Sequence, residues 1–423
     1  MNRGFYTILA AQFFSALADN ALLFAAIALL KLHAPECAAA SGECWQTPVL
    51  QQFFVFSYIV LAPFVGPFAD SLPKGRVMFI SNMVKLTGCT AMLLGMHPLF
   101  AYGIVGIGAA MYSPAKYGIL TEYLPPDKLV VANGWMEGLT VAAIILGAII
   151  GGFMLGPVFA PYMLGHLTGT LAAAHIGTAP TIAIGVILVI YLLAGIVNLY
   201  IPQVAIDHKL PRKTPLYILH DFWHSFRLLW RDPLGQVSLA VTTLFWGAGA
   251  TLRLIVLPWA ALTLKFDTER ATQLTAVTAV GIAIGSILAA RFVSLQRSVK
   301  VLPVGIVMGL AVMAMVFVES WQVAVVLLML IGTMGGFFVV PMNALLQHRG
   351  HLLMGAGHSI AVQNFNENLS ILVLLGAYTL MIRGQLHIDT IIVLFGLLVA
   401  GVMYLLWRKH GHDQDSEVPG SRF

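Results

Sequence analysis

The sequence predicts an all-α membrane protein of twelve transmembrane helices arranged as two six-helix halves. Three observations predict it: an apolar composition, a dozen runs long enough to cross a bilayer, and one long hydrophilic stretch after the sixth run. Of the 423 residues, 59% are hydrophobic and only 10% are charged, where a soluble globule carries about a quarter. Lipid cannot satisfy the edges of an open sheet, so the apolar runs are read as helices. The formal charge of +5 is modest. The basic residues sit in short loops between apolar runs and not in one patch, which argues against a nucleic-acid partner.

A helix needs about 20 apolar residues to span the hydrocarbon. The qualifying segments are 5–32, 49–71, 77–96, 99–121, 129–156, 179–201, 236–264, 271–294, 300–318, 322–347, 355–381 and 388–407. The start of the chain is short and basic at Arg3, and no small-residue cleavage site precedes the first run, so the first helix is expected to be kept. The halves are then 1–201 and 236–408, joined by a linker at 202–235 and followed by a tail at 409–423. Orientation follows from the cations. Lys31, Lys265, Arg270 and Arg383 fall on one side. The side carrying both termini takes Arg3, Lys74, Arg76, Lys128 and most of the others, so both termini are expected in the cytoplasm.

The linker opens on Pro211-Arg212-Lys213-Thr214-Pro215 and continues at helical period. His220, His224, Arg227 and Arg231 share one face, and Leu219, Phe222, Trp223, Phe226 and Trp230 lie apart from it. That pattern suits a helix lying on the inner leaflet. Cys37 and Cys44 flank the first non-cytoplasmic loop and could form a local disulfide there or remain free thiols. No Cys/His spacing suggests a metal site and no cofactor is expected.

The halves resemble each other faintly. Pro114 and Lys116 precede Glu137 in Glu137-Gly138-Leu139-Thr140, as Pro341 and Asn343 precede Glu367 in Glu367-Asn368-Leu369-Ser370. A charge at mid-bilayer costs roughly 2.5–3.5 kcal/mol, so Asp19, Lys85, Lys116, Glu137, Arg253 and Glu367 each need a reason. Gln12, Ser15 and Asp19 share a face of the first span, with Asn20 adjacent. Lys116 and Tyr117 sit in the fourth. Asn133, Glu137 and Thr140 form a face of the fifth, Asn343 and Gln347 of the tenth, and Gln363, Asn366, Glu367 and Ser370 of the eleventh. Spans 3, 6, 9 and 12, apart from Lys85 and a few hydroxyls and amides, are nearly pure hydrocarbon and are read as lipid-facing. Lys85, near a loop, is read as snorkelling. The plainer account of the other ions is that they pair and hold the helices together. The sharper one is that they line a substrate path. The pairs Gly147/Gly151 and Gly281/Gly285 are read as close helix contacts. No span centre carries a His/Asp or Ser/His arrangement, so no enzyme is expected.

The loop Gly66-Pro67-Phe68-Ala69-Asp70-Ser71-Leu72-Pro73-Lys74-Gly75-Arg76 is similar to the major facilitator signature G-x-x-x-D-R-x-G-R, with two extra residues and Ser71 in place of the Arg. The resemblance implies that this loop, with Asp70, Lys74 and Arg76, helps latch the cytoplasmic side; apart from it, Glu137 or Glu367 could staple a gate near the cytoplasmic end. The segments 11–31, 112–120 (Tyr-Ser-Pro-Ala-Lys-Tyr-Gly-Ile-Leu), 244–254, 335–347 and 355–368 resemble the bacterial lysophospholipid transporter family in order along nearly the whole chain. That resemblance implies a major facilitator fold and an inner-membrane flippase. It would bring lysophosphatidylethanolamine and related lipids from the outer leaflet to the inner one. A separate acyltransferase–acyl carrier protein synthetase would re-acylate them there, and the carrier would act as a monomer. Its substrate-binding residues would be Asp19, Asn20, Lys116, Tyr117, Arg253, Asn343, Gln363, Asn364 and Glu367. Arg253 suits a phosphodiester, being permanently charged and bidentate. Lys116 adds a second positive charge, and Asp19 suits an ethanolamine ammonium or could hold Arg253 beforehand. The competing expectation is an exporter of amphiphilic drugs with Asp19 as a proton-coupled acid.

Overall fold

The computed structural model describes residues 3–33, 46–156, 158–159, 161–162, 178–204, 214–266 and 268–410. The possible Cys37–Cys44 pairing, the basic segment 211–213 and the tail beyond 410 lie outside these residues. Every described element is helical, and each of the twelve expected spans is occupied. They are α1 (Arg3–His33), α2 (Gln46–Ser71), α3 (Lys74–Leu93), α4 (Pro98–Tyr123), α5 (Leu129–Leu155) and α6 (Ala179–Leu199). After the linker helix α7 (Pro215–Arg231) come α8 (Pro233–Thr263), α9 (Thr268–Phe292), α10 (Leu302–Ala314), α11 (Trp321–Met354), α12 (Ala356–Arg383) and α13 (Ile388–His410). Short 3₁₀ segments extend α10 at both ends, Leu295–Val301 and Met315–Phe317.

Among the described residues, 10 helices are both long and apolar enough to cross a membrane. The two expected spans outside that set are α3 and α4, of 20 and 26 residues. They are long enough but less apolar, and they place their polar groups against protein. Lys74, Ser81, Asn82 and Lys85 of α3 are all buried, as are Tyr112 and Ser113 of α4.

The chain divides into two compact units. One comprises Met1–Glu122, Ala142–Phe222 and Gly355–Ala361, and the other Tyr123–Val141, Trp223–Met354 and Val362–Phe423. In the first, α6 packs against α1 and α3. Gly147 and Gly151 of α5 meet the backbone of α1 at Leu17 and Ala21, so each glycine marks a close helix crossing. In the second, α9 and α11 form the most intimate pair. Gly281 and Gly285 face the carbonyls of Met329 and Thr333, while Gly332 and Gly336 face those of Thr278 and Ile282. This reciprocal small-residue seam lets dispersion and tight packing hold two helices that lipid would otherwise solvate equally well.

Candidate functional site

Three polar clusters stand out. The first is in the first unit, where α1, α3 and α6 meet. Asp19 lies seven residues after Gln12 and four after Ser15, so all three project from one face of α1. On α3, Asn82 and Lys85 share a face by the same rule. Lys85 Nζ lies 2.7 Å from Asp19 Oδ2 and donates to Ser15 Oγ at 3.0 Å. Ser15 Oγ donates to Asn82 Oδ1 at 2.8 Å, and Tyr191 OH donates to Asp19 Oδ1 at 2.6 Å. The ammonium sits 4.8 Å from the Tyr112 ring centre. A Cβ on Gly108 would run into the Lys85 stem, so that glycine opens the slot for the lysine. Within the pair the lysine side chain is 1% exposed and the carboxylate 20%. The anion is thus the member presented outward.

This arrangement corrects two expectations. Lys85 does not snorkel: it is a fully buried cation whose charge is met inside the protein. Helices α3 and α6 are not purely lipid-facing, because they contribute Asn82, Lys85 and Tyr191. The partners that hold Asp19 are Lys85 and Tyr191. Asn20, beside it, is half-buried and donates to the Ala16 carbonyl. Lys116 is half-buried on α4, with its ammonium 4.2 Å from the ring centre of Tyr117.

The second cluster belongs to the second unit and joins α5, α11 and α12. Asn133 and Gln347 exchange amide hydrogen bonds, each at 2.8 Å. One turn further along α5, Glu137 Oε1 accepts from Asn343 Nδ2 at 3.3 Å. Gln363 Nε2 donates to Asn343 Oδ1 at 2.9 Å and to Glu367 Oε1 at 2.7 Å. The expected gating residue Glu137 and the expected substrate residues Asn343, Gln363 and Glu367 therefore form one network. Asn364, also buried, accepts from Asn368 Nδ2 through its backbone carbonyl. Arg253 is different. It is exposed on α8 and, among the described residues, its side chain makes no hydrogen bond or ion pair.

The third cluster is the Asp70 clasp of the first unit. Lys74 Nζ lies 2.6 Å from Asp70 Oδ1 and 3.0 Å from Glu122 Oε1. Asp70 also caps the start of α12: the amides of Gly357 and His358 donate to its two oxygens at 2.8 and 3.1 Å. A carboxylate there complements both the open N–H groups and the helix dipole. His358 Nδ1 lies 2.6 Å from Asp70 Oδ2 and its Nε2 lies 3.2 Å from Asp221 Oδ2 on α7. A Cβ on Gly357 would fall on the Asp70 carboxylate, which explains glycine at that position. Arg76 is exposed and lies outside the clasp. Sequence reasoning misses Glu122, Asp221 and His358. The signal that could find His358 is the Gly-Ala-Gly-His run opening α12.

Residues 8–374 match the Major Facilitator Superfamily. The lysophospholipid transporter LplT of Yersinia enterocolitica (serotype O:8 / biotype 1B) is 44% identical over 385 residues, covering 90% of this chain and 88% of that protein. The protein of the same name from Yersinia pestis (strain Pestoides F) matches to the same extent. The chain belongs to the lysophospholipid transporter family of the major facilitator superfamily. Solved major facilitator structures share its fold at low identity. The human organic anion transporter MFSD10 superposes with a TM-score of 0.72 at 15% identity, covering 96% of this chain and all of that one. The transporter FucP gives 0.72 at 14% identity, covering 96% and 99%. A bacterial homologue of the iron transporter ferroportin gives 0.70 at 16%, covering 97% and 100%. Within this family member the polar groups sort by environment. Lys85, Glu137 and Glu367 are buried in networks, whereas Asp19 is partly presented and Arg253 exposed.

Proposed function

We propose that this chain carries lysophospholipids, lysophosphatidylethanolamine among them, from the outer to the inner leaflet of a bacterial inner membrane. The observation that carries the reading is the 44% identity to lysophospholipid transporters over 90% of the chain. The chemistry agrees with it. Arg253 is a permanently charged fork with no partner among the described residues, which leaves its donors available to a phosphodiester. Asp19 has each carboxylate oxygen held by a protein donor, and its remaining lone pairs suit an ammonium. The oriented Lys85 and Tyr191 donors keep that carboxylate in place without an ordering cost at binding.

On this reading both termini are cytoplasmic and the halves 1–201 and 236–408 work about the linker 202–235. The carrier acts as a monomer with no chemistry of its own, by facilitated diffusion or alternating access. Re-acylation falls to a separate acyltransferase–acyl carrier protein synthetase. The test is uptake of labelled lysophosphatidylethanolamine into spheroplasts lacking the native carrier. Uptake that requires this chain and drops at least tenfold in Arg253→Ala or Asp19→Ala at equal expression supports the reading. Well-expressed wild type without uptake overturns the substrate assignment.

A further inference from the structure

The linker helix α7 has three faces. Its inner face is closed: Phe222, Ser225 and Leu229 are 5%, 4% and 0% exposed. Beside it runs an apolar edge open to the outside, with Leu216, Leu219 and Trp223 at 80%, 39% and 47% exposure. Next comes a strip of four exposed residues, the arginines Arg227 and Arg231 and the ionisable His220 and His224. At 100° per residue the strip spans about 60° of the helix and directly adjoins the apolar edge. Periodicity alone groups Phe222 with the membrane-facing apolar residues. It is instead part of the buried seam, and the residues left for a membrane are fewer and lie closer to the cations.

On the other flank of the same helix is Asp221. Its carboxylate meets His358 Nε2, whose opposite nitrogen meets Asp70. A ring with both nitrogens against carboxylates satisfies both contacts when it carries two N–H donors. Asp70 in turn holds the first amides of α12. A single helix thus displays apolar and cationic side chains outward and grips the clasp with the residue between them and the core.

We propose that the outer face of α7 is a binding surface for anionic phospholipid headgroups, and that its engagement steadies the Asp70 clasp through Asp221 and His358. The occupant follows from the face itself. Leu216, Leu219 and Trp223 fit the acyl boundary, and four adjacent cationic or ionisable donors fit lipid phosphates. The surface requires the membrane-embedded fold and no particular transported substrate.

The experiment uses the full chain in nanodiscs of phosphatidylcholine with or without diacyl phosphatidylglycerol, and native mass spectrometry of lipids retained on the released protein. Wild type is expected to retain phosphatidylglycerol over phosphatidylcholine. The variant His220→Gln/His224→Gln/Arg227→Gln/Arg231→Gln should lose about 25-fold of that preference, from about fivefold for each arginine. These positions are exposed, so the variant is expected to fold, and its melting temperature checks this. Hydrogen exchange of the 355–361 segment reads the coupling. Its protection should rise with phosphatidylglycerol in wild type and be indifferent to it in Asp221→Asn. No lipid preference in wild type, or the same preference in the Gln variant, overturns the surface; the latter would point to an acidic protein partner. Protection independent of phosphatidylglycerol in wild type overturns the coupling. None of these readouts involves lysophospholipid uptake, so a failure here and a failure of the transport assay are separate results.

Discussion

Replacing Lys85 with Met removes a buried cation at nearly constant volume. The lysine is 1% exposed and is the charge partner of Asp19, which then retains the Tyr191 hydroxyl as a donor. Removing one member of a fully buried ion pair costs about 3–5 kcal/mol. The Asp19 side chain is 20% exposed, so water reaches the stranded carboxylate and the cost falls to about 2–3 kcal/mol. That corresponds to a melting temperature lower by about 3 °C in detergent for a chain of this length. The double variant Asp19→Asn/Lys85→Met leaves a neutral amide that still accepts from Tyr191 OH, and should lose only about 1 kcal/mol. The cycle therefore predicts a coupling energy above about 1 kcal/mol, where independent sites agree within about 0.5 kcal/mol. The assay is thermal unfolding of the four purified proteins in one detergent. Strict additivity, or a Lys85→Met protein that melts with wild type, would refute a structural role for this pair among α1, α3 and α6.

Further outcomes follow from the other clusters. Gly357→Ala places a Cβ 2.5 Å from Asp70 Oδ1, so the carboxylate must leave its backbone donors. A loss of about 2 kcal/mol is expected, non-additive with Asp70→Asn, checked by thermal melts of both variants and their combination. Asn133→Leu and Gln347→Leu each strand a buried amide and should cost about 1–3 kcal/mol, while the double variant costs less than the sum; a melting cycle decides it. Gly285→Leu would drive a side chain into the Thr333 backbone across the α9–α11 seam. It should lower the yield of monodisperse protein severalfold, measured by size-exclusion chromatography, whereas Gly249→Leu, with open space at its Cβ, should not.

Much of this protein is legible in its amino-acid sequence. Backbone groups in lipid must be satisfied internally, so each apolar run has to be a helix, and all twelve expected segments are helical among the described residues. The cost of burying charge singles out Asp19, Arg253, Glu137 and Glu367, and glycines at four-residue spacing mark the α1–α5 and α9–α11 contacts. What the sequence cannot supply is which charge meets which. Lys85 and Asp19 are 66 residues apart, Asn343 and Glu137 are 206 apart, and His358 and Asp70 are 288 apart. Helical periodicity orders side chains on one helix but carries no information on the helix packed beside it. From its position on α3 alone, Lys85 therefore reads as a snorkelling surface cation. Only the packing of α3 against α1 and α6 turns it into the buried counter-ion of Asp19. His358 is an unassigned residue after a glycine until Asp70 and Asp221 are brought to its two ring nitrogens. Local physics determines the helices and the charges worth explaining; the tertiary structure decides their partners, because a partner is a property of two surfaces in contact.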